Sequence, residues 1–415
     1  MGILLISGII ILATIILTII NQNSLKLPTT VAILISTATL SAIAIVYNTI
    51  YPHTLDKYFT VYLQNINFAE ILTKFMLGFM LFAGAITINI KALKSSIKEI
   101  FALAFFSTII STIIIATLTF YSVYYLNYFL ALNIHLSVLG CILFAALISP
   151  TDPIAVLGIL KTMNANKSLS TKLAGESLFN DGVGIVIFLT FYQIAFNNTY
   201  NFTITNVISL FFQQALGGLF YGFILGIIMQ TMIKTSNDLK MHILITIAVT
   251  TFGYALAEHL SISGPLAMVV LGIMTNFEHK RYSLPTTSKN SLNQFWEIID
   301  ELLNLILFFL IGAELIILQI SQKYIFLMIA VIPLALFARL FSIIIPIKLF
   351  KLIKNNLSYT VKILTWGGLR GGLAIALALS LPNNPEKNII LTLTYPIVLF
   401  SIIIQGTSIK YIIKK

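Results

Sequence analysis

Residues 145–154 read AALISPTDPI, which places Thr151 and the charged Asp152 between two prolines inside an apolar run. A charged side chain at the centre of a bilayer is unfavourable by roughly 2.5 to 3.5 kcal/mol on insertion scales, and such residues usually mark an ion or proton path. Each proline removes a backbone donor and obstructs the carbonyl four residues before it. Unwound backbone is tolerated at this depth only where it is buried in protein or lines a wet cavity. The stretch therefore predicts an interrupted membrane helix, in which freed carbonyls such as that of Thr151 can bind a cation.

The composition is that of a polytopic membrane protein. The chain has 415 residues, of which 58% are hydrophobic and 9% are charged, and its mean hydropathy is +0.97. Soluble domains contain about 25% charged residues. The net charge of +11 does not indicate nucleic acid, because basic residues of membrane proteins are first expected in cytoplasmic loops. A single cysteine and five histidines without ligand-like spacing predict no resident metal or cofactor.

Thirteen apolar segments have about the length of a membrane helix. The predicted fold class is therefore an all-α polytopic membrane protein with about thirteen transmembrane helices. The segments run approximately over residues 2–20, 29–47, 68–90, 98–126, 134–160, 174–196, 206–233, 241–259, 262–276, 296–318, 324–347, 359–381 and 389–409.

The basic residues sort to one side of this topology. Of the 25 lysines and arginines, nineteen lie in loops on one side and three on the other, with three more inside segments. The rich side is cytoplasmic, so the N-terminus is predicted outside and the C-terminus inside a cell (inner) membrane. The first segment lacks a basic leader and a cleavage pattern, which predicts a retained helix rather than a signal peptide. The sparse side carries Lys57, Lys323 and Lys387.

The sixth segment carries four polar groups on one helical face. Residues 175–184 read GESLFNDGVG, in which Glu176 and Asn180 lie four residues apart, as do Ser177 and Asp181. The two pairs therefore form adjoining rows. Their carboxylate, hydroxyl and amide oxygens can together bind a monovalent cation beside the interrupted helix. A polar network that only fixes helix packing is the plainer interpretation, but three acidic residues within thirty positions exceed what packing requires.

The twelfth segment is a second interrupted helix, because residues 366–373 read WGGLRGGL and four glycines around Arg370 loosen it. Segments one to six and eight to thirteen are predicted to form inverted repeats, with the fifth and twelfth at corresponding positions. Interrupted segments so placed point to a midplane binding site. Arg370 either balances the partial negative ends of half-helices or places a fixed charge near the site. Within one membrane domain, 1–415, the predicted divisions are repeat one at about 1–197, a linking helix at about 206–233 and repeat two at about 239–412.

Other charged residues inside the segments need partners of opposite charge. Arg339, in the eleventh segment, is predicted to pair with Glu176, because a guanidinium fork and a carboxylate form a strong bidentate pair. Glu70 and Lys74, four residues apart in the third segment, predict an ion pair on one helix face. Glu314, in the tenth segment, is either buried or at its outer end, and it is left without an assigned role.

These motifs resemble those of monovalent cation:proton antiporters, in the branch that holds bacterial sodium/proton antiporters and animal sodium/hydrogen exchangers. The resemblance covers most of the chain, and its motifs are specific when taken together in this order. They are SPTDPIAV (149–156), GESLFNDGVGIVIF (175–188), SGPLAMVVLGIMTNF (263–277), FWEIIDELLNLILFFLIGAEL (295–315) and GGLRGGLAIALALSLP (367–382).

The resemblance implies a dimeric thirteen-helix fold with a dimerisation part and an ion-carrying core, whose fifth and twelfth helices cross while unwound. It also implies that Asp181 binds the cation and the proton in turn, and that Arg339 pairs with Glu176. One departure is that many relatives carry an acidic residue where this chain has Ala83. Any partner for Arg370 must therefore come from elsewhere.

The predicted mechanism is competition between two ions at one carboxylate. Burial disfavours an ionised carboxyl group and a bound cation favours it, so Asp181 holds a proton or a cation. Glu176 is neutralised by Arg339, and Asn180 is the uncharged residue typical of this branch. One titrating group remains, which predicts the exchange of one sodium (or lithium) ion for one proton. The predicted cation- and proton-binding residues are Asp181, Asp152, Thr151, Ser177, Glu176 and Asn180, with sodium at Asp181, Ser177 and Thr151 and with Arg339 and Arg370 in support.

Other functions remain open from the sequence. The cation can instead be potassium, because both ions use the same ligand types. A channel would show uncoupled conductance. An intramembrane aspartyl protease would need Asp152 and Asp181 to share a proton on facing helices. Asn180 and the flanking prolines suit ion coordination better, so exchange is the preferred prediction.

Overall fold

All ordered elements in the described part of the chain are helices, which confirms the predicted all-α class. The structure is a computed structural model that describes residues 3–51, 68–162, 167–197, 202–236, 238–281, 286–316, 318, 321–352 and 357–413. We label the helices α1 (Ile3–Ile20), α2 (Thr29–Ile50), α3 (Phe68–Thr87), α4 (Ile90–Ser95), α5 (Ile97–Leu130), α6 (Val138–Ile148), α7 (Ile154–Thr162), α8 (Lys167–Phe196), α9 (Ile204–Lys234), α10 (Leu239–His259), α11 (Gly264–Arg281), α12 (Thr286–Glu314), α13 (Ile325–Leu349), α14 (Leu357–Gly367), α15 (Gly372–Leu379) and α16 (Pro385–Ile413).

Each predicted segment coincides with a helix or with a helix pair, but not all of them meet the criteria for a membrane crossing. In the described ranges nine helices are long and apolar enough to cross, and the bent pair α14–α15 makes ten. The pair α6–α7 and the helices α11 and α12 fall short because they are too short or too polar, so thirteen crossings remain a prediction. Lys57, Lys354, Lys414 and Lys415, four of the residues behind the predicted orientation, lie outside the described residues, as do the side chains of Lys161, Lys167, Lys280, Arg281 and Lys289.

The helices pack as two bundles. In the first, α5 packs along α13, α8 and α6, and α16 packs against α15 and α13. We call this set, α5–α8 with α13–α16, the crossing bundle. In the second, α11 packs along α9 and α3, and α12 packs along α2 and α3. This set, α1–α3 with α9–α12, is the flanking bundle. It meets the crossing bundle mainly where α8 contacts α9 and α11 and where α15 contacts α3.

The two interrupted helices of the crossing bundle cross at their breaks. Helix α6 ends at Ile148, and α7 begins at Ile154 after the second proline. Helices α14 and α15 are separated by residues 368–371 and are bent by 44°. The backbone N–H of Asp152 donates to the carbonyl of Leu369 at 2.7 Å. Each unwound segment therefore satisfies a backbone group of the other, as buried backbone requires.

Candidate cation-binding site

A cavity of about 620 Å³ lies between the two bundles and reaches the breaks. It extends from the exposed Asn89, after the end of α3, past Ser170 and Thr171 at the start of α8. At its inner end it is lined by Asp152 and Asp181. The predicted topology places the Asn89 end on the cytoplasmic side. Below we call it the large cavity.

Asp181 and Ser177 present their oxygens to the large cavity. Asp181 lies midway along α8, which runs from Lys167 to Phe196. Ser177, one turn earlier, is 7% exposed and also lines the cavity. Neither side chain forms a hydrogen bond or an ion pair with any residue that the structure describes. Their oxygens are therefore available to an ion.

Asp152 lines the same cavity but is held in place. Its carboxylate Oδ1 accepts from the backbone N–H of Ile154 at 2.9 Å, which satisfies the start of α7. On the other side it packs against Gly371, where a Cβ atom would lie 2.6 Å from Oδ2. These two contacts commit the Asp152 carboxylate to ordering the break.

Thr151 and Asn180 bind each other and do not line the large cavity. The amide Nδ2 of Asn180 donates to Oγ1 of Thr151 at 2.8 Å, and its Oδ1 accepts from the backbone N–H of Thr151 at 3.3 Å. Asn180 is fully buried. In this conformation the pair joins α8 to the α6–α7 break, so Asn180 offers neither side-chain atom to an ion in the cavity.

Glu176 and Arg339 form the buried ion pair that the sequence predicts. Nη1 of Arg339 lies 2.6 Å from Oε1 of Glu176, and the two side chains are 4% and 1% exposed. Nη2 of Arg339 donates to the carbonyl of Leu364 at 3.2 Å. A Cβ atom on Gly368 would lie 2.5 Å from Nε of Arg339, so glycine is what lets the guanidinium lie against the α14–α15 break. Glu176 is thus neutralised and does not line the large cavity.

Arg370 contacts the end of a half-helix. Its Nη1 donates to the carbonyls of Ser149 and Pro150, the latter at 3.0 Å, directly after the end of α6. These carbonyls carry the partial negative charge of a helix C-terminus. The geometry matches the first role considered for Arg370, which is to balance the partial negative end of a half-helix. Ala83, the position at which an acidic partner for Arg370 is missing from the sequence, is buried on α3.

A second cavity, of about 370 Å³, lies on the other side of Leu77, which lines both cavities. It is lined by Lys74 on α3 and by Tyr192 and Gln193 near the end of α8. The predicted Glu70–Lys74 ion pair is present at 2.9 Å, with both side chains about half exposed. Glu314 is the last residue of α12 and is half-buried there.

Asp300, on α12, also lines the large cavity and was missed by the sequence analysis. It lies between Glu297 and Glu301, which are exposed, and this acidic run resembles a solvated helix face. Helical spacing places Asp300 on the same face of α12 as Trp296 and Asn304, which lie four residues away on either side and are both buried. Asp300 therefore lies on the packed face of α12.

The contact between Gly371 and Asp152 gives a steric prediction. Gly371→Ala should lower the exchange rate about tenfold, because overpacking of about 1 to 3 kcal/mol must be relieved by moving the Asp152 carboxylate. The backbone of Gly371 is extended with a φ of −100°, so any effect comes from the added methyl group. Sodium-dependent proton movement in proteoliposomes measures the rate. Gly158→Ala on α7 is the matched control, since no atom lies within 4 Å of its Cβ position, and equal rates for the two variants would contradict the steric reading.

Two half-helix pairs that cross at their breaks, with free carboxylates in a cavity beside them, define a class of protein. Unwound helices of this kind form the binding sites of secondary transporters. The fold and the site thus describe a secondary membrane transporter.

Comparison with known proteins agrees with this class and points to one family of transporters within it. The family model described as sodium/hydrogen exchanger, transmembrane, matches residues 9–415. The Na⁺/H⁺ antiporter NhaP of Pseudomonas aeruginosa is 36% identical over 406 residues, which cover 97% of this chain and 94% of that protein. The Na⁺/H⁺ antiporter NhaH of Halobacillus aidingensis is 34% identical over 322 residues, which cover 77% of this chain and 76% of that protein. The solved sodium proton antiporter MjNhaP1 of Methanocaldococcus jannaschii has the same fold, with a TM-score of 0.75 at 18% identity over 98% of this chain and 97% of that one.

The chain belongs to the sodium/hydrogen exchanger family. The resemblance found in the sequence is thereby confirmed. Because the members are transporters and not enzymes, the aspartyl protease alternative is wrong.

Proposed function

We propose that this protein exchanges sodium (or lithium) for protons across the cytoplasmic membrane, one for one, with Asp181 as the carboxylate that binds each in turn. The observation that carries the proposal is the position of Asp181. It lies midway along α8, lines the large cavity, and has no ion pair or hydrogen bond with a described residue. A carboxylate held away from bulk water and without a partner gains most from either a proton or a cation.

The one-for-one ratio follows from sorting the acidic groups near the breaks. Glu176 is paired with Arg339 at 2.6 Å, so its charge is already balanced within the protein. Asp152 accepts a backbone hydrogen bond and packs on Gly371, so it is committed to the break. Of the three acidic residues on α6–α8 and their break, Asp181 alone remains to change partner. An exchange of one singly charged ion for another moves no net charge.

The sodium ligands in this proposal come from three residues. The carboxylate of Asp181 and the hydroxyl of Ser177 face the cavity without partners. Thr151 does not line the cavity in this conformation, and its hydroxyl is held by Asn180. In this proposal Thr151 therefore adds its carbonyl from the unwound segment once an ion is bound. Oxygen ligands of these kinds suit a hard monovalent cation. No cofactor takes part in this cycle.

Alternating access would move the site between two openings. The large cavity reaches Asp181 from the Asn89 end, and the second cavity lies beyond Leu77. With the predicted orientation, N-terminus outside and C-terminus cytoplasmic, the conformation described here is open to the cytoplasm. We further propose a homodimer joined through the flanking bundle, as the family resemblance implies.

The exchange is tested with purified protein in liposomes that contain a pH-sensitive dye. A sodium gradient should drive proton movement, lithium should substitute for sodium, and potassium should be less effective. With the membrane potential clamped at different values by potassium and valinomycin, the final ion distribution should not change, since the proposed cycle moves no net charge.

Each part of the proposal has its own contradicting outcome. No dye response to any monovalent cation would overturn exchange itself. A final distribution that shifts with the clamped potential would overturn the one-for-one ratio but leave exchange standing. Potassium as the best substrate would replace sodium in the same mechanism.

A further inference from the structure

Asp300 lies in the same cavity as the exchange site but on a different part of the molecule. Asp152 and Asp181 belong to the crossing bundle, whereas Asp300 belongs to α12 of the flanking bundle. Helix α12 packs along α2 and α3, and it meets the crossing bundle through α15. The large cavity therefore has acidic groups on both of its walls.

The side chain of Asp300 has no cationic partner among the residues that the structure describes. The amide of Asn304 donates to its backbone carbonyl at 2.8 Å and lies within hydrogen-bonding range of its carboxylate. An amide carries no charge, so the carboxylate charge stays uncompensated. The neighbouring Glu297 and Glu301 are exposed and do not line the cavity. Asp300 is thus the member of this acidic run that faces the ion path.

The opposite wall contains a group that is ready to bind a ligand. Ser177 is 7% exposed, lines the large cavity, and forms no hydrogen bond with a described residue. A cleft with walls of low dielectric and charges of one sign raises the local concentration of ions of the opposite sign. A cation in this cavity is therefore attracted by both walls before it reaches Asp181.

We propose that Asp300 is a recruiting residue for the transported cation, which favours occupation of Asp181 only when the site is open to the large cavity. The proposal rests on the exchange function stated above. Asp300 does not travel with the ion, because it belongs to the flanking bundle. When the two bundles move relative to each other and open the site to the other side, Asp300 stays behind.

This arrangement makes the transporter asymmetric. A cation that arrives from the large cavity meets the carboxylates of Asp300 and Asp152 on its way to Ser177. One that arrives past Leu77 meets a cavity whose wall carries both the cationic Lys74 and the acidic Glu258. Apparent affinity for the cation should therefore be higher on the side of the large cavity. The proton, which is carried on Asp181 itself, needs no such recruitment.

The test compares Asp300→Asn with wild type in everted and in right-side-out membrane vesicles, with sodium as the varied ion. We expect the apparent KM for sodium to rise about three- to tenfold on the side of the large cavity, as loss of one cavity charge predicts. The KM on the opposite side and the maximal rates should stay within about twofold of wild type. Asp300→Glu should restore most of the affinity.

Glu301→Gln and Glu297→Gln are the matched controls, because each removes one negative charge from the same helix outside the cavity. If Asp300→Asn behaves like these controls, or raises KM equally on both sides, the recruiting role is wrong. A lost maximal rate with unchanged KM would also overturn it. Wild-type vesicles report separately on the exchange function, since a lack of sodium-dependent proton movement there would contradict the transport proposal itself.

Discussion

Asp181→Asn should reduce sodium-dependent proton movement to the rate of protein-free liposomes. The amide keeps the shape of the side chain but can neither release a proton nor supply a negative charge to a cation. Because Asp181 makes no hydrogen bond or ion pair with a described residue, the substitution removes no contact that holds the fold. The pH-dye assay in proteoliposomes measures the loss, and size-exclusion chromatography checks that the variant is folded.

Asp238→Asn is the matched control for this variant. Asp238 is exposed and caps α10 by accepting from the backbone N–H of Lys240 at 3.0 Å. Asparagine caps a helix equally well, so this variant should transport at the wild-type rate. Normal exchange in Asp181→Asn would remove Asp181 from its proposed role, and a comparable loss in Asp238→Asn would show that the assay does not report on the site.

Arg339→Ala should destabilise the protein by about 3 to 5 kcal/mol, because removing one partner of a buried pair leaves an uncompensated charge. Glu176 is 1% exposed, and its carboxylate has no other partner among the described residues. The lost guanidinium also leaves the carbonyl of Leu364 unpaired beside the break. Thermal unfolding in detergent, followed by tryptophan fluorescence or by loss of the monodisperse peak, measures the change.

Two further variants distinguish the effect of losing the buried ion pair from the effect of losing the packing of the Arg339 side chain. The double variant Glu176→Gln with Arg339→Gln removes both charges and should recover part of the lost stability, since no unpaired charge remains. Lys74→Ala breaks the half-exposed pair with Glu70 and should change stability by less than about 1 kcal/mol. If the double variant is as unstable as the sum of its single variants, the ion pair is not what makes Arg339 necessary.

The breaks were predictable because their causes are local. The prolines at 150 and 153 act on the backbone within one helical turn, and glycines 367, 368, 371 and 372 act at their own positions. The Glu176–Arg339 pair was predictable for a different reason. A charge in an apolar segment must find an opposite charge, and few candidates existed.

The division of roles among the predicted site residues could not be read from spacing. Helical periodicity places Glu176, Ser177, Asn180 and Asp181 on one broad face, and it does not say which of them turns towards a cavity. Neighbouring helices decide this: the α6–α7 break occupies Asn180 through Thr151, whereas Ser177 and Asp181 are left facing the cavity. The carbonyl partners of Arg370 depend likewise on the crossing of two distant segments.

The amino-acid sequence alone determines that this chain is an all-α membrane protein with two interrupted helices, and it predicts an intramembrane carboxylate site. Hydropathy, proline, glycine and buried charge act within a few residues, so their consequences are visible without coordinates. The packing of the two bundles determines that Asp300 shares a cavity with Asp181, and that Asn180 and Glu176 do not. Residues more than a hundred positions apart meet there, and which of their side chains stays unpaired is a property of the packed helices.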